Sequence, residues 1–234
     1  MNKEEFKLEC SKIGIDITNE IFNKFEMYKD LLIEWNNKFN LTTIIKEEDI
    51  YLKHFFDSLY ITKFHDFNNK KICDFGTGAG FPGMVLKIVR PDLKLTLLDS
   101  LNKRINFLSA VSEQVGLSVN TVHLRAEEGG KMPEYREKYD FSIARAVSNL
   151  RELAEYCLPY VKIGGKFVSM KGPDALEELN AAKPGIGTLG GKVNAVREYS
   201  ISDGSGRTVI VVDKCKTTPA QFPRASAKIS KKPL

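Results

Sequence analysis

Between Ile21 and Phe39 the apolar residues Ile21, Phe25, Tyr28, Leu32, Trp35 and Phe39 recur at alternating spacings of four and three. That period predicts one long amphipathic helix with a single buried stripe. Thr18 stands where an N-cap is needed. A short helix is expected over Glu4 to Ile13, and the acidic turn KEED at 46–49 opens another that runs through IYLKHFF. The polar stretch DFNNK, 66–70, reads as a linker. Beyond it the pattern changes to short β-rich runs at 71–75, 94–99, 119–124, 139–144 and 166–171. Helical stretches begin between them at Pro82 and near Asn102, Leu150 and Asp174, as parallel βαβ units require. The runs VNAVREYSI and RTVIVVDKC have only SDGSG between them, so they are expected to form an antiparallel hairpin.

These elements predict an α/β fold in two parts: an N-terminal helical subdomain, 1–66, and a Rossmann-like domain, 67–234. The latter carries a seven-stranded, mostly parallel sheet that ends in the antiparallel hairpin. Such a sheet order is associated with S-adenosylmethionine-dependent methyltransferases rather than with dehydrogenases.

At 234 residues with 42% hydrophobic content, the chain can fill a core of its own. The sequence shows no signal-peptide run and no membrane-length apolar window, so a soluble cytoplasmic protein, expected to be a monomer, is read. Cys10, Cys73, Cys157 and Cys215 lie far apart with no CxxC pair, which suggests neither a metal site nor a disulfide framework. The net charge of +5 is mild, but it is unevenly spread. From Lys214 onward Lys214, Lys216, Arg224, Lys228, Lys231 and Lys232 stand without an acidic residue among them, a pattern that points to a polyanion. If all six touched single-stranded phosphates, the slope of log affinity against log salt would approach about −4.

The densest chemical signal is DFGTGAGFPG, 74–83, between the first strand and a helix start. Glycine lets a ligand press against backbone and takes positive φ at little cost. Gly78, Gly80 and Gly83 satisfy GxGxxG, and Asp99 follows at the end of the second strand, where it can accept hydrogen bonds from ribose hydroxyls. Those features leave a dinucleotide and S-adenosylmethionine both open. Asp74, two residues before Gly76, tilts the choice, because a carboxylate at the mouth of the loop repels a pyrophosphate but can hold the ammonium end of a methionine moiety.

The strings DFGTGAGFPG, LLDSLNKRINFL, RAEE, YDFSIARAV, EYCLPYVK and KKPL, with EWNNKFNLT and HFFDSL nearer the N-terminus, span nearly the whole chain. Together they resemble the bacterial 16S ribosomal RNA guanine-N7 methyltransferase family, also called glucose-inhibited division protein B. The resemblance implies the class I methyltransferase fold with an N-terminal helical cap and S-adenosyl-L-methionine as donor. It also implies a guanine of 16S rRNA, near the decoding region of the small ribosomal subunit, as acceptor. Carried over by motif, the cofactor contacts are Gly76, Phe81, Ala126, Glu127 and Arg145; Asp74, Gly78, Gly80 and Asp99 come from the general loop argument. From Pro223 the tail reads PRASAKISKKPL, which departs from the PRKAGTPxKKPL usual in the family, although Lys228 adds a cation where Ala225 has lost one.

Guanine N7 offers a free lone pair, so its methylation is an in-line displacement needing no general base. Positioning is then the main contribution, worth roughly 7 to 11 kcal/mol in the best cases. None of the cysteines follows a proline, as a C5-pyrimidine nucleophile commonly does, and Ala144, Arg145 and Ala146 stand where exocyclic-amine enzymes usually carry an Asn/Asp-Pro-Pro-Tyr-like loop. Arg145 and Lys171 are candidate substrate contacts, with an ion pair and an exposed strand-end lysine as their plain structural alternatives. His54, Asn36, Asn40 and Thr42 are either cleft-facing or purely structural. The competing readings are a small-molecule methyltransferase, a nicotinamide-dependent oxidoreductase and a non-catalytic rRNA-binding assembly factor.

Overall fold

The long stripe forms the helix that its spacing predicts. In the computed structural model, which describes residues 1–173 and 175–234, α1 (Lys3–Lys12) precedes α2 (Asn19–Phe39). Thr18 Oγ1 accepts from Ile21 N at 3.2 Å, which satisfies one of the free donors at the start of α2. Thr18→Ala is expected to cost about 1 kcal/mol, read as a fall of about 2–4 °C in melting temperature. The second helical stretch is irregular: α3 (Glu47–Asp49), a π-helical turn over Ile50–Phe56, α4 (Asp57–Leu59) and a 3₁₀ turn over Tyr60–Lys63. Phe6, Phe25, Tyr51 and Phe55 interlock between these helices, with Phe6 edge-on to Phe25 at 5.3 Å.

Seven strands follow: β1 (Lys71–Phe75), β2 (Lys94–Asp99), β3 (Asn120–His123), β4 (Tyr139–Arg145), β5 (Val161–Lys171), β6 (Gly191–Ser200) and β7 (Gly206–Lys214). Their order in the sheet is β3-β2-β1-β4-β5-β7-β6. The first five are parallel, while β7 inserts antiparallel between β5 and β6. The connecting helices are α5 (Gly83–Val89), α6 (Asn102–Val115), the short α7 (Ala126–Gly129), α8 (Leu150–Cys157) and α9 (Ala175–Thr188); α10 (Ser226–Lys231) comes last. Asp174, named above as the start of a helix, lies outside the described residues.

Two boundaries differ from the sequence reading. Pro82 caps α5 and Gly83 is its first residue, so the proline sits one position earlier than expected. β5 begins at Val161 rather than at 166. The backbone there stays in the strand by kinking: Gly164 has φ +83°, and a Cβ on Gly165 would lie 2.6 Å from the Asp140 carbonyl oxygen.

Both faces of the sheet are covered. The first, carrying Ile72, Leu97, Ile143 and Val168, forms one apolar cluster with α1, α2, the 50–61 stretch, α5 and α6. The second, carrying Phe75, Ala144, Phe167 and Ile210, packs on α8, α9 and Phe222 of the tail. The strand order reverses between β1 and β4, and ligands of open α/β sheets bind outside the carboxyl ends of the strands at such a point. Among the described residues no helix is long and apolar enough to cross a membrane.

Candidate functional site

The glycine loop leaves β1 in a series of left-handed turns. Gly76, Gly78 and Gly80 have φ of +55°, +60° and +96°. Gly76 N donates to Leu98 O at 2.9 Å and Gly78 N to Asp99 Oδ2 at 3.0 Å, which pins the loop to the end of β2. Asp99 is buried and also accepts from Leu101 N at 2.9 Å and Arg104 Nη1 at 3.3 Å. Beside it lies a pocket lined by Gly76, Asp99, Ala126, Glu127, Tyr156 and Val147, among others. A Cβ on Gly76 would come within 3.0 Å of Val147 Cγ1, so only glycine keeps both its backbone conformation and this pocket wall. Gly76→Ala is expected to weaken binding of an adenosyl ligand about tenfold or more, since the left-handed conformation alone costs about 1–2 kcal/mol; calorimetric titration reads it.

Four of the sequence-derived cofactor residues therefore line this one pocket: Gly76, Asp99, Ala126 and Glu127. Asp74 does not sit at the mouth of the loop. It is fully buried, with Oδ2 accepting from Gly83 N and Thr77 Oγ1 at 2.8 Å each and Oδ1 without a partner. Burial pushes its carboxyl up to about 7 against the pull of those two donors and Arg145. Gly80 and Phe81 face the N-terminal helices. A Cβ on Gly80 would lie 2.5 Å from Tyr28 Oη, and the Tyr28 hydroxyl donates to Ala79 O. Phe81 stacks on His54 with ring centroids 4.2 Å apart.

Arg145 ends β4 in a neighbouring cleft, together with Lys53, His54, Asp57, Lys171 and Arg207. Its Nη1 donates to Lys53 O at 3.0 Å and pairs with Asp57 Oδ2 at 3.3 Å, while its guanidinium lies 5.0 Å over the Phe81 ring. Arg145 Nη2 reaches His54 Nδ1 at 3.2 Å, and His54 Nε2 meets Thr42 Oγ1 at 2.9 Å. A guanidinium only donates, so the histidine is neutral with its proton on Nε2. Burial and the Arg145 charge agree, holding the imidazole down at about 3. Thr42 and His54 thus serve this network, and Asn36 takes a structural part, its Oδ1 accepting from Thr42 N at 2.8 Å. Lys171 is not an exposed strand-end lysine: its Nζ pairs with Glu178 at 2.9 Å and donates to Ser148 O. The two clefts meet at one turn, with Ala146 lining the second and Val147 the first. Ala146 holds φ +53°, uncommon for any residue but glycine.

A family model described as rRNA small subunit methyltransferase G matches residues 21–205. The chain is 47% identical over 231 residues to the ribosomal RNA small subunit methyltransferase G of Clostridium perfringens strain 13, with 97% of each chain covered. The chain belongs to the rRNA small subunit methyltransferase G family. Its fold is that of solved methyltransferase structures. A predicted O-methyltransferase, Atu636 from Agrobacterium tumefaciens, superposes with a TM-score of 0.51 at 18% identity, over 64% of this chain and 76% of that one. P. horikoshii TYW2 in complex with MeSAdo gives 0.54 at 13%, over 67% and 60%.

The family match stops at Ser205, short of β7 and the basic tail. Two of the tail's six cations are not free for a polyanion. Lys214 is buried, donates to Leu158 O at 2.7 Å and pairs with Glu137 at 3.2 Å; burial lowers its ammonium to about 8. Arg224 clasps Glu155 through Nε and Nη2 at 2.8 and 2.6 Å. Lys216, Lys228, Lys231 and Lys232 remain exposed, so the salt slope attributable to the tail falls to about −3. Tyr156, Val147 and Ser226 line the pocket without having been singled out as site residues. Tyr156 and Val147 at least lie within the quoted strings EYCLPYVK and YDFSIARAV, whereas nothing in the sequence marks Ser226.

Proposed function

We propose that this chain methylates N7 of a specific guanine in 16S small-subunit rRNA, with S-adenosyl-L-methionine as donor, acting as a monomer in the cytoplasm. The observation that carries the reading is the pair of adjoining clefts. A glycine-floored pocket with a carboxylate at its edge meets a cationic cleft at the turn Ala146–Val147. The donor residues present fit an adenosyl group: Gly76 leaves room for a ligand against backbone, and the Asp99 Oδ1 accepts only one hydrogen bond, which leaves capacity for a ribose hydroxyl. Ala126 and Glu127 line the same pocket, and behind it the fully buried Asp74 keeps an unpartnered Oδ1. When bound, the cofactor supplies an electrophilic methyl on a sulfonium.

The chain's own part is to hold the guanine. Ile44 and Met170 offer apolar surface to a base in the second cleft, where Lys53, Arg145, Lys171 and Arg207 are each paired with a carboxylate of the chain but leave the lining positive overall. Because N7 carries no proton, no side chain has to remove one before attack. Transfer of labelled methyl to small-subunit RNA from cells lacking this gene, followed by nucleoside analysis, tests the reading. It expects 7-methylguanosine from the parent protein and far less from Gly76→Ala. Transfer to neither naked RNA nor assembled subunits, despite cofactor binding, would remove it.

A further inference from the structure

The last helix is short, yet its two faces meet different surroundings. Ser226, Ile229 and Ser230 share one face, at the i, i+3 and i+4 positions. Ser226 lines the glycine-loop pocket beside Tyr156 and Ile229 is fully buried, while Ser230 next to them is exposed. The segment before the helix is fastened at several points. Arg136 donates to the carbonyls of Thr218 and Phe222, Pro223 packs within 2.8 Å of where a Cβ on Gly130 would lie, and Arg224 clasps the buried Glu155. Beyond the helix Arg151 Nε holds Leu234 O at 2.6 Å. On the opposite face Lys228, Lys231 and Lys232 are exposed, and none makes an ion pair among the described residues.

We propose that α10 works with both faces: the inner face is a wall of the cofactor pocket, and the outer lysine face is a contact surface for the phosphate backbone of the RNA substrate. This deepens the proposed function and rests on it. The charge argument favours RNA as the occupant, because three cations unpaired among the described residues project from this face and no Asp or Glu follows Asp213 in the sequence. The fastening explains why so short a helix holds its place: Ile229 and the Arg224–Glu155 pair anchor it to α8, the same helix that supplies Tyr156 to the pocket.

The test separates the faces with three variants of the full chain. Binding of S-adenosylhomocysteine is measured by calorimetry, and binding of small-subunit RNA as a function of salt. Ser226→Phe fills the pocket side; it is expected to weaken S-adenosylhomocysteine about tenfold and leave RNA affinity unchanged. The combined Lys228→Ala, Lys231→Ala, Lys232→Ala protein is expected to keep S-adenosylhomocysteine affinity and to lose about two from the salt slope of RNA binding. Ile229→Ala loosens the anchor and is expected to weaken both ligands, with thermal unfolding confirming that the body of the protein stays folded. If Ser226→Phe and Ile229→Ala both bind S-adenosylhomocysteine like the parent, α10 is no wall of the pocket. An unaltered salt slope in the triple variant removes the RNA face. A parent protein that binds no S-adenosylhomocysteine at all would overturn the proposed function itself, a result distinct from either.

Discussion

An Asp57→Ala protein is expected to unfold about 3–5 kcal/mol more easily than its parent, a fall of about 6–20 °C in melting temperature. Asp57 is only 3% exposed and answers to three elements at once. Its Oδ2 accepts from Arg145 Nη1 of β4 at 3.3 Å and from Arg207 Nε of β7 at 3.2 Å, and its Oδ1 accepts from the Tyr199 hydroxyl of β6 at 2.9 Å. Removing the carboxylate leaves two guanidinium groups facing each other in a largely buried space and strips Tyr199 of its acceptor. Breaking a buried pair costs more than the pair contributes, because the remaining charge stays desolvated. Tyr199 also stacks on Tyr60 at 3.9 Å, so the loss loosens the seam between the hairpin and the N-terminal helices. Urea unfolding with an unchanged m-value gives the difference directly. A loss below about 1 kcal/mol would mean that the network does not hold the seam. Asp57→Asn, which keeps an acceptor for one donor but no charge, is expected to fall between.

This seam is what sequence reading could not supply. Asp57 lies 88 residues from Arg145 and 150 from Arg207, and no spacing rule pairs charges across such distances. The sheet was legible because each strand is a short apolar run closed off by polar or glycine-containing turns, and the stripe of α2 because its period is unmistakable. The irregular π turn over Ile50–Phe56 hides behind an ordinary helical pattern, since packing of Tyr51 and Phe55 against α1 and α2 sets its geometry. The glycine loop announced a ligand but not which residues meet it. Gly80 and Phe81 turn toward Tyr28 and His54, and that choice depends on partners 52 and 27 residues away in sequence. The basic tail was legible as charge alone, because Glu137 and Glu155, which absorb Lys214 and Arg224, lie on other elements.

Asp74→Asn is expected to gain stability relative to the parent by about 2–3 kcal/mol between pH 5 and pH 8. The parent carboxyl is raised from 3.8 to about 7, first by burial. The folded protein therefore keeps a proton there that the unfolded chain gives up near pH 4. Its stabilising contribution is complete below about pH 4, is lost as the pH climbs to about 7, and amounts to about 4 kcal/mol in all. His54 and His65 act in the opposite sense. Held down at about 3 and about 4, they are neutral in the fold, and the stability they contribute is present above pH 6.5 and lost on acidification. The pH profile of the parent mixes these trends, so the difference between variant and parent at each pH is the informative quantity. An asparagine oxygen can take the bonds from Gly83 N and Thr77 Oγ1 without acquiring charge. A difference that stays constant from pH 5 to pH 8 would show that Asp74 does not titrate in this range. The same substitution separates stability from binding. An ammonium reaching the unpartnered Oδ1 would pull the carboxyl below neutrality, so cofactor binding at pH 7, where the parent carboxyl is half protonated, should release about half a proton from the parent and none from Asp74→Asn. Calorimetry in buffers of different ionisation enthalpy reads that proton, and a variant more stable at pH 8 yet weaker in binding is the combined expectation.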